Sequence, residues 1–186
     1  MATISLIDAT LPLRIVDGYE VKTLDSLRAE ETIANGAAVR IVPSSTNAGY
    51  LTNAKATTNA EAAVVGLARK GVSAYGATTV IRKGVVDGFD LSSYNYWAPV
   101  YLGDSDGIIT SISGTLTRLI GRVIPVDTGK VGVAPDKLLE VDFGIGPEPI
   151  SNANMGNTIN TGDATSDNCI DAVRDALVAL GVIVDA

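Results

Sequence analysis

Histidine is absent from this 186-residue chain, and cysteine occurs once, at Cys169. A Ser–His–Asp or Cys–His arrangement needs an imidazole base, so both are excluded. The common zinc sites draw on several His and Cys ligands, and an internal disulfide needs a second thiol. Cys169 has no base to activate it and reads as a small packing residue. Aromatic residues make up only 5% of the chain. That leaves few platforms for a sugar and weighs against a carboxylate-paired glycosidase. Lys and Arg number 14 against 21 Asp and Glu, for a net charge of −7. The pairs Arg69-Lys70 and Arg82-Lys83 read as solvated strand ends, not as a phosphate-tracking footprint, so nucleic acid is not an expected partner. No apolar run approaches the roughly 20 residues of a membrane span, and a membrane is not expected as a partner either. The opening residues lack the basic start and long apolar middle of a secretion signal, so the expectation is a soluble product of the cytoplasm.

What is present is 46% hydrophobic residues, mostly Ala, Val, Ile and Leu, with 19 glycines. That mix fits many short strands joined by tight turns, and the length fits one domain with appended segments. The clearest stretch is 97–126. A β-rich run at 99–102 leads into the turn residues Gly103-Asp104-Ser105-Asp106-Gly107, followed by an alternating run at 108–112. A third run at 116–126 contains Gly121, where a strand bends or bulges. Asp104-x-Asp106-Gly107 has the look of half a calcium loop, but Ser113 stands where the bidentate glutamate belongs. A hairpin turn is the better explanation. Gly144-Ile145-Gly146 is followed by Pro147, which has no amide to offer a phosphate.

Residues 37–72 repeat this pattern, with runs at 38–42, 50–54 and 62–72. Val39-Arg40-Ile41 matches Val100-Tyr101-Leu102, and Gly49-Tyr50-Leu51-Thr52 matches Gly107-Ile108-Ile109-Thr110. Val65-Gly66-Leu67-Ala68 matches Ile120-Gly121-Arg122-Val123. A lone three-stranded meander leaves open edges and an unburied face. The expected fold class is therefore mainly β: a small β-barrel or sandwich built from two related three-stranded units. Further strands are expected at 78–86 and 138–145. Before them, 4–7 and 11–16 are short apolar runs, and Asp17-Gly18 signals a hairpin returning at 19–21. Such an arm can join its own sheet or a neighbour's. Residues 23–36 read as a short helix capped by Asp25, or as a loop leading to a strand near Thr32.

Tyr94, Tyr96 and Trp97 form a ring cluster that is either a binding surface or a lid on the barrel, with the lid preferred. Residues 146–166 are rich in Gly, Pro, Asn, Ser and Thr and read as a linker. A helix is expected over 167–181, with Ile170, Val173, Leu177 and Leu180 on one narrow stripe. A helix that short must dock, on its own barrel or on another chain. The expected organisation is an N-terminal arm (1–29), a β-barrel domain (30–145), a linker (146–166) and a helical tail (167–186).

On Ala98-Pro99-Val100-Tyr101-Leu102, Asp106-Gly107, Ile109-Thr110 and Ile120-Gly121-Arg122-Val123, the chain resembles the small β-barrel capsid decoration, or cement, proteins of tailed bacteriophages. Ile33-Ala34-Asn35-Gly36-Ala37-Ala38-Val39 and 62–72 are similar to the first half of that family, and the tail is similar to C-terminal helices of phage structural proteins. The resemblance implies a non-enzymatic virion protein without cofactor or metal. Such a protein binds the capsid exterior, often as a homotrimer, and clamps neighbouring major capsid protein subunits. The interface expected from the residues is Ile170, Val173, Leu177 and Leu180 with Tyr94, Tyr96 and Trp97. Another virion part, such as a head fibre base or tail component, and a carboxylate-dependent hydrolase are the alternatives.

Overall fold

The computed structural model describes residues 3–127, 134–143, 150–151 and 183–184. The chain groups into two units, Met1–Gly144 and Ile145–Ala186. Among the described residues of the first unit there is no helix. The chain runs through β1 (Arg14–Ile15), β2 (Lys22–Arg28), β3 (Ala38–Ile41), β4 (Leu51–Asn53), β5 (Val64–Ala68) and β6 (Ala77–Asp87). It continues through β7 (Pro99–Leu102), β8 (Ile109–Thr110), β9 (Leu119–Val126) and β10 (Asp136–Asp142). In the second unit, β11 (Ile150–Ser151) pairs in parallel with β12 (Ile183–Val184). The expected tail helix and its stripe lie outside the described residues.

The first unit is a curled antiparallel sheet, a half-barrel, in the order β4-β3-β5-β6-β10-β9-β7-β8. Read from either end, that order gives the same meander, as the internal repeat requires. The registers agree residue by residue. Val39 faces Gly66 and Val100 faces Gly121, and each pairing then slips by one residue, so that Arg40 faces Val64 and Tyr101 faces Leu119. Arg40 pairs with Thr52 as Tyr101 pairs with Thr110. Ala68 pairs with Val80 as Val123 pairs with Leu139. The two glycines do the same work: a Cβ on Gly66 would overlap the Ile81 carbonyl oxygen, and one on Gly121 the Glu140 carbonyl oxygen.

The halves are equivalent in register but not in what they bury. In the first half Val39, Leu51, Ala68 and Val80 form a cluster on one face, covered by Leu24, Leu27, Ala29 and Ile33. Their counterparts Val100, Ile109, Val123 and Leu139 lie in the main core. The first half contributes its other face to that core, through Ala38, Val64, Leu67 and Ile81. The counterparts of Leu67 and Ile81 in the second half are Arg122 and Glu140, both exposed. The two halves thus pack face to back. One meander presents its second face to the first face of its copy.

The switch occurs within β6. Ile81 points into the main core and Val80 into the first-half cluster, whereas five residues on, Val86 points into the core and Val85 into a separate buried cluster with Ile124 and Leu138. Strict alternation would place Ile81 and Val86 on opposite faces. Consecutive residues Lys22 and Thr23 face Lys83 and Ile81, which leaves Arg82 as an extra residue, and Gly84 holds φ +143°. A bulge plus a glycine-only conformation turns the strand over.

β6 also organises the N-terminal segment. Ile81, Val80, Lys83 and Val86 each have two strand partners. β1 and β2 therefore follow one another along one edge of β6, and β10 and β5 along the other. The hairpin expected at Asp17-Gly18 does not form, because β6 is long enough to pair both segments separately. Nor does a helix form at 23–36. Leu24 faces Val80 and Leu27 faces Thr78, so a bulge places residues three apart on one face and mimics helical spacing. The arm joins its own sheet: Ile4 N donates to Ile109 O at 3.0 Å, Ile7 N to Gly88 O at 2.8 Å and Leu13 N to Arg69 O at 2.8 Å. Ile4 and Leu13 are buried in the core.

Alanine at Gly84 tests the switch. The methyl group has room, its nearest neighbour being Val21 Cγ2 at 3.5 Å. The backbone conformation is nevertheless strained for any side chain, so Gly84→Ala is expected to lower unfolding free energy by about 1–3 kcal/mol. Gly121→Ala, which meets a carbonyl, is expected to cost about 2–4 kcal/mol. Urea midpoints check both, and an unshifted midpoint for Gly84→Ala would contradict this role.

Candidate functional site

The sheet's interior is filled. Leu67, Ile81, Leu102, Ile120 and Leu139 are all less than 2% exposed. The functional question therefore falls on surfaces and on the shallow hollows between loops.

The ring cluster divides its work. Tyr94 packs against the main core and covers it, as a lid would. The Tyr96 hydroxyl donates to Pro135 O at 2.8 Å, and Lys137 donates to Ser92 O at 2.8 Å while standing 5.5 Å from the Tyr96 ring. These contacts tie the 92–97 loop to the start of β10. Trp97 points away and is 60% exposed, although its amide donates to Val123 O at 2.6 Å and its φ is +65°. Near it the outward face of β7 and β9 carries half-buried Pro99 and Tyr101, with Leu119, the cross-strand partner of Tyr101, 46% exposed. This is the face whose first-half counterpart is buried. Leu119 occupies the position of Val64, which is 6% exposed. Sequence alignment of the halves could have marked Leu119 as an apolar side chain lacking its partner, had the face-to-back packing been known. The remaining expected interface residues, Ile170, Val173, Leu177 and Leu180, lie outside the described residues, as does Cys169.

The two ends of the curled sheet meet along a seam. Gly107 N donates to Ala54 O at 2.8 Å and Ala38 N to Gly107 O at 2.9 Å. Ala56 N donates to Gly103 O and Leu116 N to Ala56 O, both at 2.8 Å. The Asp104-x-Asp106 turn belongs to this seam. Asp104 accepts the Thr115 amide at 2.7 Å and its hydroxyl at 3.1 Å. Lys55 bridges Glu61 at 3.2 Å and Asp106 at 3.5 Å. Each carboxylate there already serves the hairpin and its neighbour. Among the described residues no group of three or more His, Cys, Asp or Glu is gathered for a metal.

Acids do converge in one small hollow of about 140 Å³, which holds Glu20, Glu140 and Asp142. Lys83 stands between two of them, 2.7 Å from Glu20 and 3.4 Å from Asp142. It holds the Glu20 carboxyl below its ordinary range. The expectation that Arg82-Lys83 ends a strand is thus corrected: both sit in mid-β6, where Lys83 neutralises carboxylates and Arg82 donates to Phe143 O at 2.9 Å. Comparison with protein-family models, with curated proteins and with solved structures found no match to this chain.

Glu61 gives the seam a measurable signature. Hydrogen bonds from the Thr57 and Thr58 hydroxyls, then the nearby Lys55 ammonium, lower its pKa from 4.5 to about 2. A depressed carboxyl stabilises the fold fully above its ordinary pKa, and that contribution is lost as pH falls from 4.5 toward 2. A side-chain carboxyl NMR titration is expected to show half-protonation of Glu61 near pH 2, moved upward by Thr57→Val. An ordinary titration in the parent protein would contradict the arrangement.

Proposed function

We propose that this chain is a structural virion protein that binds the outer capsid surface and cements neighbouring major capsid protein subunits as a homotrimer. The resemblance of 97–126 and 33–72 to phage cement proteins suggests the class. The observation that carries the reading is the unequal use of two equivalent faces. One is sealed inside the molecule, and its copy is turned outward with Leu119, Tyr101 and Pro99, beside Trp97. An exposed apolar side chain by itself is ordinary, but a rim of them on a rigid sheet suits a partner surface. The net charge of −7 also keeps such a protein from competing for the genome.

Adding the purified chain to expanded capsids that lack it tests the reading. Saturable co-sedimentation is expected, with capsids that survive higher temperature. Trp97→Asp should weaken binding at least tenfold without moving the melting midpoint of the free protein. Capsids that take up no protein would overturn the proposal, and density located by microscopy on a tail or head fibre would move the protein to another virion part.

We propose the tail stripe expected from the sequence as the trimer contact. Leu177→Asp puts an unpartnered charge in that contact, a cost of several kcal/mol. Light scattering is expected to show three times the 19.2 kDa chain mass for the parent and a single chain for the variant, with unchanged β-sheet circular dichroism. An unchanged mass for the variant would remove the stripe from the contact.

A further inference from the structure

A shallow cleft of about 310 Å³ opens where β2, the start of β6 and the turn after β5 meet. It is lined by Ser26, Arg69, Lys70, Thr78 and Thr79, with Pro12 and Ala77 as its apolar walls. Four other cations stand beside acids: Arg14 with Asp87, Lys22 with Glu20, Lys55 with Glu61 and Asp106, Lys83 with Glu20 and Asp142. In the cleft no lining residue is a carboxylate, and among the described residues neither Arg69 nor Lys70 has an ion-pair partner. Two adjacent cations lining one acid-free cleft make a local positive patch in a chain with net charge −7.

The backbone beneath them is fixed. Arg69 N donates to Thr79 O at 2.8 Å, Arg69 O accepts from Leu13 N at 2.8 Å, and Lys70 O accepts the Thr78 hydroxyl at 2.6 Å. With its proton spent there, the Thr78 oxygen can only accept. Ser26 and Thr79 keep hydroxyl protons to give. Ser26 is held toward the cleft from a left-handed backbone, φ +59°. Arg28 stands opposite Ala77 in the register and adds a third positive charge nearby.

We propose that this cleft is an oxyanion site that takes the phosphoryl group of a small molecule. A guanidinium and an ammonium supply charge matched to a dianion, and the Ser26 and Thr79 hydroxyls supply neutral donors. The volume lies at the low end of small-ligand pockets, enough for a phosphoryl group and a short attached body. The bodies nearest the anion would lie on Pro12 and Ala77. The site has no counterpart in the second half, where Ile124 and Pro125 occupy the positions of Arg69 and Lys70 by the repeat register. It does not rest on the virion reading.

NMR titration of the full chain with inorganic phosphate and with glycerol phosphate, at constant ionic strength against a chloride control, tests it. Saturable shifts are expected at the amides of Ser26, Arg69, Lys70 and Thr79, with the monoester the tighter of the two. Arg69→Ala with Lys70→Ala should weaken binding at least tenfold at an unchanged melting midpoint, whereas Lys55→Ala should leave it intact. Linear drift indistinguishable from chloride, failure of the monoester to bind, or equal binding by the double variant would overturn the proposal.

Discussion

The turn-over of β6 between Ile81 and Val86 is the constraint on which the rest of this structure depends. Without it, two copies of one meander joined through antiparallel β6 and β10 would present the same apolar face on the same side of one sheet. That arrangement would bury one face of each copy and leave Leu67 and Ile81 in water. By changing sides, β6 lets Ile81 and Val86 enter one core from what begin as opposite faces. The extra residue Arg82 and the positive φ of Gly84 are the local means. The consequence is an asymmetric molecule made from a symmetric sequence pattern. Its first half is buried on both faces, whereas the outer face of its second half is covered where Ile124 and Leu138 pack with Val85 and is open at Leu119, Arg122 and Glu140.

This asymmetry accounts for other features. The first half needs a cover for its remaining face, and Leu24, Leu27, Ala29 and Ile33 provide it. Glu31 fastens that cover. Its carboxylate accepts from the Thr52 hydroxyl and, at 2.8 Å, from the Asn53 amide. Burial opposes its ionisation, but these hydrogen bonds and the Arg40 charge bring the pKa below the ordinary value. The second half has polar Arg122 and Glu140 at the positions where the first half has Leu67 and Ile81, so its outward face tolerates water. Leu119 and Pro99 keep the apolar character of their counterparts Val64 and Ala38, and with Tyr101 they give the proposed capsid contact its location.

Much of the sheet was legible in the sequence. The repeat aligns on Gly66 and Gly121 in the sequence, and in the fold these glycines sit at matching registers with matching bulges. The turn at Gly103–Gly107 and the long strand over 78–86 were equally plain, since local residue preference and tertiary pairing agree there. The failures arose where pairing overrode local signals. Asp17-Gly18 does form a turn, but it joins two strands that both pair with β6 instead of with each other. Leu24 and Leu27 have helical spacing only because a bulge separates them. The face-to-back packing was invisible, because strand period alone does not say which of two apolar faces meets which. The site was less legible still. Tyr94, Tyr96 and Trp97 were identifiable as a cluster, but their separate tasks depend on Pro135, Lys137 and Val123, all distant in sequence.

If the halves share one core through β6, neither can open alone. Native-state hydrogen exchange in low denaturant measures this directly. The expected result is that the slowest amides of β5, β9 and β10 exchange at one common free energy, equal to that of global unfolding, and fall together in Gly84→Ala. Exchange of the β7–β10 half at a distinctly lower free energy, with the first half still protected, would contradict the shared core.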